Sequence, residues 1–575
     1  MSEIRWVRRP GGPPEDVQRL AADLGTDQPF PEVLADILLA RGVATLDAAR
    51  AFFVPRREAL HDPFLMRDMD IAVARLLRAR TQGERVLLFG DYDVDGTSAV
   101  TLLMLALSEC GFDVHYYIPD RYTEGYGLSY RGIEHAAKLG AGLIITLDCG
   151  IKSTDKVRFA TAQGIDMIIC DHHTPGDELP GAVAVLDPKR PDCGYPYKEL
   201  TGCGVGYKLL EGLLQRLPAD LLPRPDYDLL ARYCDLITLS IACDIVPITG
   251  ENRTIAYHGL QKLRSDPMPG IQALMAQSGQ AREWDISDLV FFIGPRINAA
   301  GRLEHASAAV EVLLARDARL ADLAAALQHA NDARKDLDRS MTLEALTMIE
   351  TDPAFDRRSS TVLYHPDWHK GVIGIVASRV IETHYRPTIL LTRAEGKLVG
   401  SARSVAGFDL YQALEACEGH LLQWGGHKFA AGLSLREEQL EVFSDAFDAA
   451  VSAQITPEQR IPLLYIDGEL RLDQLDARFL RLLNRMEPFG PENRRPVFIA
   501  RDVKVLHSTV MKEEHLKLVV QQGTVMVEAI GFGMAAKWQQ LGQEHLDIAF
   551  QPFINSWNDK HRINLRLKDF RTATS

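Results

Sequence analysis

The stretch DYDVDG sets Asp91, Asp93 and Asp95 two residues apart and closes on Gly96. Carboxylates at this spacing are hard oxygen donors suited to divalent cations. They also reproduce the first half of an EF-hand calcium loop. Such a loop needs a bidentate Glu at its twelfth position, where this chain has Leu102. The apolar run RVLLFG before Asp91 reads as a buried strand, whereas an EF-hand loop is entered from a helix. The acids are therefore expected at the carboxyl end of a strand. Two further runs end alike: AGLIITLD on Asp148, and IDMIIC on Asp171, His172 and His173.

Ligands of open parallel sheets bind outside the carboxyl ends of the strands. Three strands would thus deliver oxygen and imidazole donors to one rim. Singly, a strand-terminal Asp is most often a helix N-cap, and Asp-His-His is a polar turn. Jointly that reading fails on electrostatics, because two carboxylates about 4 Å apart repel by roughly 4 kcal/mol at an effective dielectric of 20. Cations must neutralise the rim. Mixed Asp and His donors suit Mn²⁺ or Mg²⁺ better than structural zinc, which favours cysteine.

The elements that would position these groups follow from pattern. Between 85 and 190, strand-like runs alternate with helical stretches, which implies a parallel sheet covered by helices on both faces. Residues 1–80 read as short helices and 203–245 as helical. The stretch 305–350, without Pro or Gly, reads as a long helix or helix pair. A second α/β region follows, with STVLYHP, PTILLT and KLVGSARS as strands. Beyond 457 short alternating segments predict a small antiparallel barrel.

A chain of 575 residues and 64.0 kDa exceeds one ordinary domain. With 46% apolar and 25% charged residues it has a soluble globular composition. No apolar run reaches the roughly 20 residues of a membrane helix, and the first residues do not read as a secretory signal. Eight cysteines without a CxxC pair suit a reducing cytosol. The formal net charge of −14 argues against a general nucleic-acid binder. Metal-binding carboxylates, and phosphate contacts confined to one basic channel, weaken that argument.

DYDVDG, LDCG and DHH, in this order, resemble the DHH phosphoesterase superfamily. IPDRYTEGYGLS (118–129), LTGCGVGYKL (200–209), GPRINAAGRL (294–303), WHKGVIGIVASRV (368–380), GSARS (400–404) and GGHKFAAG (425–432) narrow the likeness to its RecJ family of single-strand-specific exonucleases. The resemblance implies an N-terminal helical segment at 1–60 packing on the core and a DHH domain at 61–304. It further implies a connecting long helix at 305–355, a DHH-associated domain at 356–456, and an oligonucleotide-binding (OB) barrel at 457–575. It implies two-metal hydrolysis of single-stranded DNA, 5′ to 3′, to mononucleotides. Asp148 would bridge both ions, Asp93 would complete one side with support from Asp91, and Asp95, His172 and Asp244 the other. His173 would face the scissile phosphate.

Arg121, Arg296, Asn298, Arg302, His369, Arg379, Ser401, Arg403 and His427 would contact DNA phosphates in one cleft. Barrel candidates are Arg494, Arg495, Lys504, Trp557, Lys560, Arg562, Arg566 and Lys568. The family further implies a cytoplasmic monomer in repair and recombination, with single-strand-binding protein and repair helicases as partners. The alternatives are a DHH oligonucleotide or cyclic-dinucleotide phosphodiesterase, and a silent DNA-binding scaffold. A scaffold would have lost ligands, and Asp93, Asp95, Asp148, His172, His173 and Asp244 are all present.

Overall fold

The apolar runs between 85 and 190 pair into one sheet. In spatial order its strands are Asp113–Tyr117, Arg85–Gly90, Ala141–Leu147, Asp166–Cys170 and Ala184–Leu186, all parallel. Their residues alternate between two cores. Val86, Leu88, Leu143 and Ile145 pack with residues of the helices Val94–Glu109, Gly202–Arg216 and Leu229–Cys243. Leu87, Phe89 and Ile144 pack with residues of Tyr130–Leu139 and Thr154–Ala162. Strand order reverses between the neighbours Arg85–Gly90 and Ala141–Leu147, so the segments leaving them diverge and open a crevice. Asp91 and Asp148 are the first residues beyond these two strands.

The computed structural model describes residues 4–25, 28–279, 283–557 and 560–573; the side chains of 556–561 lie outside the description. The chain divides into two units, one of Arg50–Ala333 with Met486–Arg494, the other of Met1–Ala49, Arg334–Arg485 and Arg495–Ser575. The sheet above belongs to the first. No helix among the described residues is long and apolar enough to cross a membrane.

The second unit holds a five-stranded mixed sheet in the order Gln423–Gly426, Ala430–Leu435, Lys397–Arg403, Thr388–Ala394, Thr361–Tyr364, with only the last pair parallel. Its first two strands are Gly-rich and carry little strand signal. It also holds a barrel of Phe498–Met511, His515–Gln522, Val525–Gly531, Lys560–Thr572 and His545–Trp557, the last closing on the first. The barrel is not wholly antiparallel. Val525–Gly531 runs parallel to Lys560–Thr572, because the helix Ala535–Leu541 separates it from the final hairpin.

One other expectation is corrected. Arg5–Arg8 is a strand, paired in parallel with Leu463–Ile466, and the Trp6 indole donates to Asp569 at 2.7 Å. Of the two readings for 305–350, a long helix or a helix pair, the structure has the pair, Ser307–Leu314 and Leu320–Thr351. Between them Ala315 is extended and Asp317 accepts from the Arg319 amide at 3.0 Å, a local bond that competes with helix.

A buried ionic network holds the helix Gly202–Arg216 in place. The fully buried Lys208 ammonium lies 2.9 Å from Glu251 and 2.8 Å from Glu211, and donates to the His61 carbonyl at 2.8 Å. The Tyr195 hydroxyl donates to Glu251 at 2.6 Å. Glu251→Ala would take from the buried cation one of its two carboxylate partners, the fully buried one. We expect it to cost about 3–5 kcal/mol, read as a lowered urea midpoint, whereas replacing Lys208 and Glu251 together by apolar residues should cost far less.

Candidate metal centre and phosphate contacts

Asp93 is the N-cap of the helix Val94–Glu109, its Oδ1 accepting from the amides of Asp95 (2.9 Å) and Gly96 (3.1 Å). The cap engages Oδ1 and makes no use of Oδ2. Asp95 is held by three donors: the amides of Gly202 (2.6 Å) and Cys203 (2.8 Å), and the Ser240 hydroxyl (2.7 Å). The two amides open the helix Gly202–Arg216, whose N-terminus favours an anion. Gly202 is required by close approach, since a Cβ there would sit 2.5 Å from the Asp148 Cβ.

Asp148 lies in the left-handed region at φ 61°, as does Ile245 at φ 60°, directly after Asp244. Such backbone is uncommon for any residue but Gly and an outlier for a β-branched one; it clusters at functional sites. Asp244 caps the C-terminus of the helix Leu229–Cys243, an end that disfavours negative charge.

Asp171 orients the histidine pair. Its Oδ1 accepts from the His172 and His173 amides and lies 2.8 Å from His173 Nδ1. His173 Nε2 is thereby turned outward, 3.0 Å from the Tyr126 hydroxyl. His172 Nε2 stands 3.2 Å from Asp148 Oδ1, 3.5 Å from Asp244 Oδ2 and 3.8 Å from Asp95 Oδ2. Ligand atoms lie within 4.8 Å of one another in three sets: Asp91, Asp93 and Asp148; Asp95, His172 and Asp244; and Asp148, His172 and His173.

Asp91 Oδ2, Asp148 Oδ1, Asp244 Oδ2 and both ring nitrogens of His172 are buried without a hydrogen-bond partner. Buried polar atoms are rarely left so. Hard oxygens and imidazole nitrogens aimed at common points fit divalent ions. Burial, then the neighbouring carboxylates, push Asp91, Asp148 and Asp244 well above the usual carboxylate range. Asp93 is raised by burial and by Asp95. Burial lowers His172; it also acts to lower His173, but the Asp171 hydrogen bond and charge outweigh it and His173 is raised.

Sequence reasoning missed Ser240, which supports Asp95, and Tyr126. It also missed Asp187, fully buried beyond the strand Ala184–Leu186, with one oxygen unpartnered and its carboxyl pushed up to about 7 by burial. The run GAVAVLDP, ending on an acid like the others, was a usable signal.

The expected phosphate contacts fall into two groups. In the first unit, the Arg121 guanidinium lies 4.8 Å over the Tyr92 ring, and the Arg302 charge also acts on Tyr92. Asn298 is half-buried on the helix Gly294–Leu303. Arg296 is turned inward: it is buried, donates to Gln328 at 2.7 Å and to the Phe292 carbonyl, and stacks on the Phe292 ring. That geometry makes it a packing residue instead of a phosphate contact.

In the second unit, Arg403 donates to the Ser401 hydroxyl at 3.0 Å. Both sit against the start of the helix Ile373–Thr383, where a Cβ on Gly374 would meet Arg403 at 2.7 Å and Ser401 at 2.8 Å. The next strand pairs Gly432 with Ser401 and Ala430 with Arg403, and exposed His427 lies in the turn before it. His369 Nδ1 accepts from the Gly371 amide at 3.1 Å. Arg379 is committed to Glu382 at 3.3 Å on the exposed helix surface. In the barrel, exposed Arg566 lies 5.9 Å from the rings of Phe532 and Phe553, and Lys504 and Arg562 are exposed. Lys568 is half-buried, and Arg495 donates to Asn484 at 3.1 Å. Arg494 belongs to the first unit, and the Trp557 and Lys560 side chains lie outside the described residues.

The raised carboxyls set a sign for stability. A folded carboxyl that holds its proton more tightly than the unfolded chain withdraws stability as pH rises above about 4. In metal-free buffer at pH 7, Asp148→Asn should raise the melting midpoint by roughly 2–4 °C, with the gain vanishing near pH 4. The variant should lose most of the stabilisation that Mn²⁺ gives the wild type. Ser240→Ala should weaken Mn²⁺ binding by about 10-fold in calorimetry.

Comparison with known proteins agrees across the chain. Residues 85–241 match the DHH family N-terminal domain, 359–453 the DHHA1 domain, and 466–569 the RecJ OB domain. The single-stranded-DNA-specific exonuclease RecJ of Dickeya dadantii is 34% identical over 96% of this chain and 98% of its own. That of Bacillus subtilis is 33% identical over 99% of this chain and 71% of its own. The crystal structure of RecJ with Mn²⁺ from Thermus thermophilus superposes with a TM-score of 0.82 at 28% identity, covering 100% of this chain and 80% of that one. By these matches the chain belongs to the RecJ family.

Proposed function

We propose that this chain is a metal-dependent exonuclease that degrades single-stranded DNA from the 5′ end to 5′-mononucleotides. The observation that carries the reading is the set of buried, unpartnered ligand atoms on Asp91, Asp148, His172 and Asp244, in a chain of this family. Two divalent ions, Mn²⁺ or Mg²⁺, would supply a water of lowered pKa and offset charge on the reacting phosphoryl group. Asp148 belongs to two of the donor sets, which suits a bridging ligand. Asp93 and Asp91 serve one side; Asp95, His172 and Asp244 the other.

His173, with Nδ1 engaged by Asp171, holds a proton at Nε2 for a non-bridging oxygen of the scissile phosphate. Arg403 and Ser401 bind a 5′-proximal phosphate, helped by small neighbours that let the backbone approach. Arg121, Asn298, Arg302, His369, Arg379 and His427 are assigned lesser contacts along the strand. Phe532, Phe553 and Arg566 offer the barrel a base-stacking surface. The relatives' activity and specificity support the substrate, and the family resemblance supports the polarity. It also supports a cytoplasmic role in repair and recombination, as a monomer working with single-strand-binding protein and helicases.

Strands labelled at either end, single or blunt duplex, incubated with Mn²⁺ test this directly. The 5′ label should be released first and only from single strands, and Asp148→Ala should lose more than about 10²-fold in rate. Early release of the 3′ label, or equal cutting of duplex, would overturn the reading. Phe532→Ala with Arg566→Ala should raise KM for a long oligonucleotide by about 10-fold or more, leaving turnover at saturation unchanged.

A further inference from the structure

A cavity of about 230 Å³ in the second unit uses none of the residues assigned above. It lies where the helix Ile373–Thr383 ends and the strands Thr361–Tyr364 and Thr388–Ala394 begin. Three guanidinium groups line it, from Arg358, Arg386 and Arg460. Ser359, His384 and Tyr385 complete the wall.

The charges there are not balanced from within. Arg386 is held by backbone alone, donating to the carbonyls of Phe355 (2.9 Å) and Arg358 (2.7 Å) over the Phe355 ring. Arg460 donates to the Ser359 hydroxyl at 3.0 Å. Neither forms an ion pair among the described residues. Arg358 reaches Asp445 only at 3.8 Å and donates to the Ser444 hydroxyl at 2.9 Å. Asp448, the nearby half-buried acid, is already taken up by the amides of Ser359 and Ser360 and the Ser360 hydroxyl, each at 2.8 Å. Asp356 stands exposed at the rim. Burial lowers Arg386, with Arg460 acting the same way and the charges of Asp356 and Asp448 opposing it, and His384 is held towards its neutral form by burial and Arg386. Guanidinium forks match phosphate oxygens in pairs, and a convergence of them with hydroxyl donors is the chemistry of an oxyanion site.

We propose that this cavity binds a phosphate monoester, either inorganic phosphate or the phosphate of a mononucleotide. Its enclosure by Arg358, Arg386 and Arg460 favours the extra charge of a monoester over a backbone diester.

The test is calorimetry on the metal-free full-length chain with inorganic phosphate, dTMP, thymidine and an unphosphorylated dT12, comparing wild type with Arg460→Gln. Phosphate bound at the Arg403–Ser401 group gives heat that this variant leaves untouched, so the heat it removes reports the cavity. Phosphate and dTMP should bind the cavity at least 10-fold more weakly in Arg460→Gln, thymidine should be silent in both, and the Mn²⁺-dependent nuclease rate should not change. Arg358→Gln should behave alike, so a folding defect in one variant leaves the other to decide. Superimposable wild-type and variant isotherms, or no heat from phosphate in the wild type, would overturn the proposal. So would Arg460-dependent competition by dT12, which would make the occupant a DNA diester.

Discussion

Five carboxylates and two imidazoles gathered at one end of a parallel sheet are the constraint to which the rest of the first unit answers. Without cations such a group resists both its own charge and its own burial, as the raised carboxyls of Asp91, Asp93, Asp148 and Asp244 show. The fold holds it with groups that are themselves well supported. Two amides at a helix N-terminus and a buried serine fix Asp95. Asp171 fixes His173 through a ring nitrogen and the amides of both histidines. Among what these supports leave unsatisfied, His172 Nε2 lies within 4 Å of Asp95, Asp148 and Asp244, and such convergence separates a ligand set from a poorly packed polar core.

Rigidity comes from the layers beneath. Strands covered on both faces leave little freedom at their carboxyl ends, and the helix Val94–Glu109 is locked by the Asp93 cap. Left-handed backbone at Asp148 and Ile245 persists because the surrounding structure over-determines it. The fully buried Lys208 stands on the helix whose first amides hold Asp95; bound to Glu211 and Glu251, it links that precision to the unit's stability.

How much of this was legible in the sequence depends on whether a signal was local. Asp91, Asp148 and Asp171 each follow an apolar run, so strand and carboxyl end could be read together. Asp244 has no such run. It ends a helix buried along most of its length, where periodicity says nothing about which terminal residue turns inward, and only motif resemblance singled it out. Ser240 could not be read at all, because its partner lies 145 positions away. Arg296 shows the converse: a motif argues that a residue matters, but its spacing cannot tell a phosphate contact from a guanidinium spent on Gln328 and a backbone carbonyl. In the barrel, alternation revealed the strands but not their directions, which the helix Ala535–Leu541 decides by where it returns the chain.

The net charge of −14 looks at odds with a DNA substrate, and the resolution lies in range. Two divalent ions would offset only part of it, so the chain as a whole remains anionic. Beyond the Debye length of about 8 Å at physiological salt, that excess is largely screened. Contacts nearer than this decide binding. The proposed contacts, cations at the reacting phosphate, the Arg403 fork among small residues and the rings beside Arg566, would all act at short range, and stacking is indifferent to net charge. On the proposed reading, an anionic chain with attraction concentrated in a few places would penalise loose adsorption of nucleic acid while holding a single strand at those places.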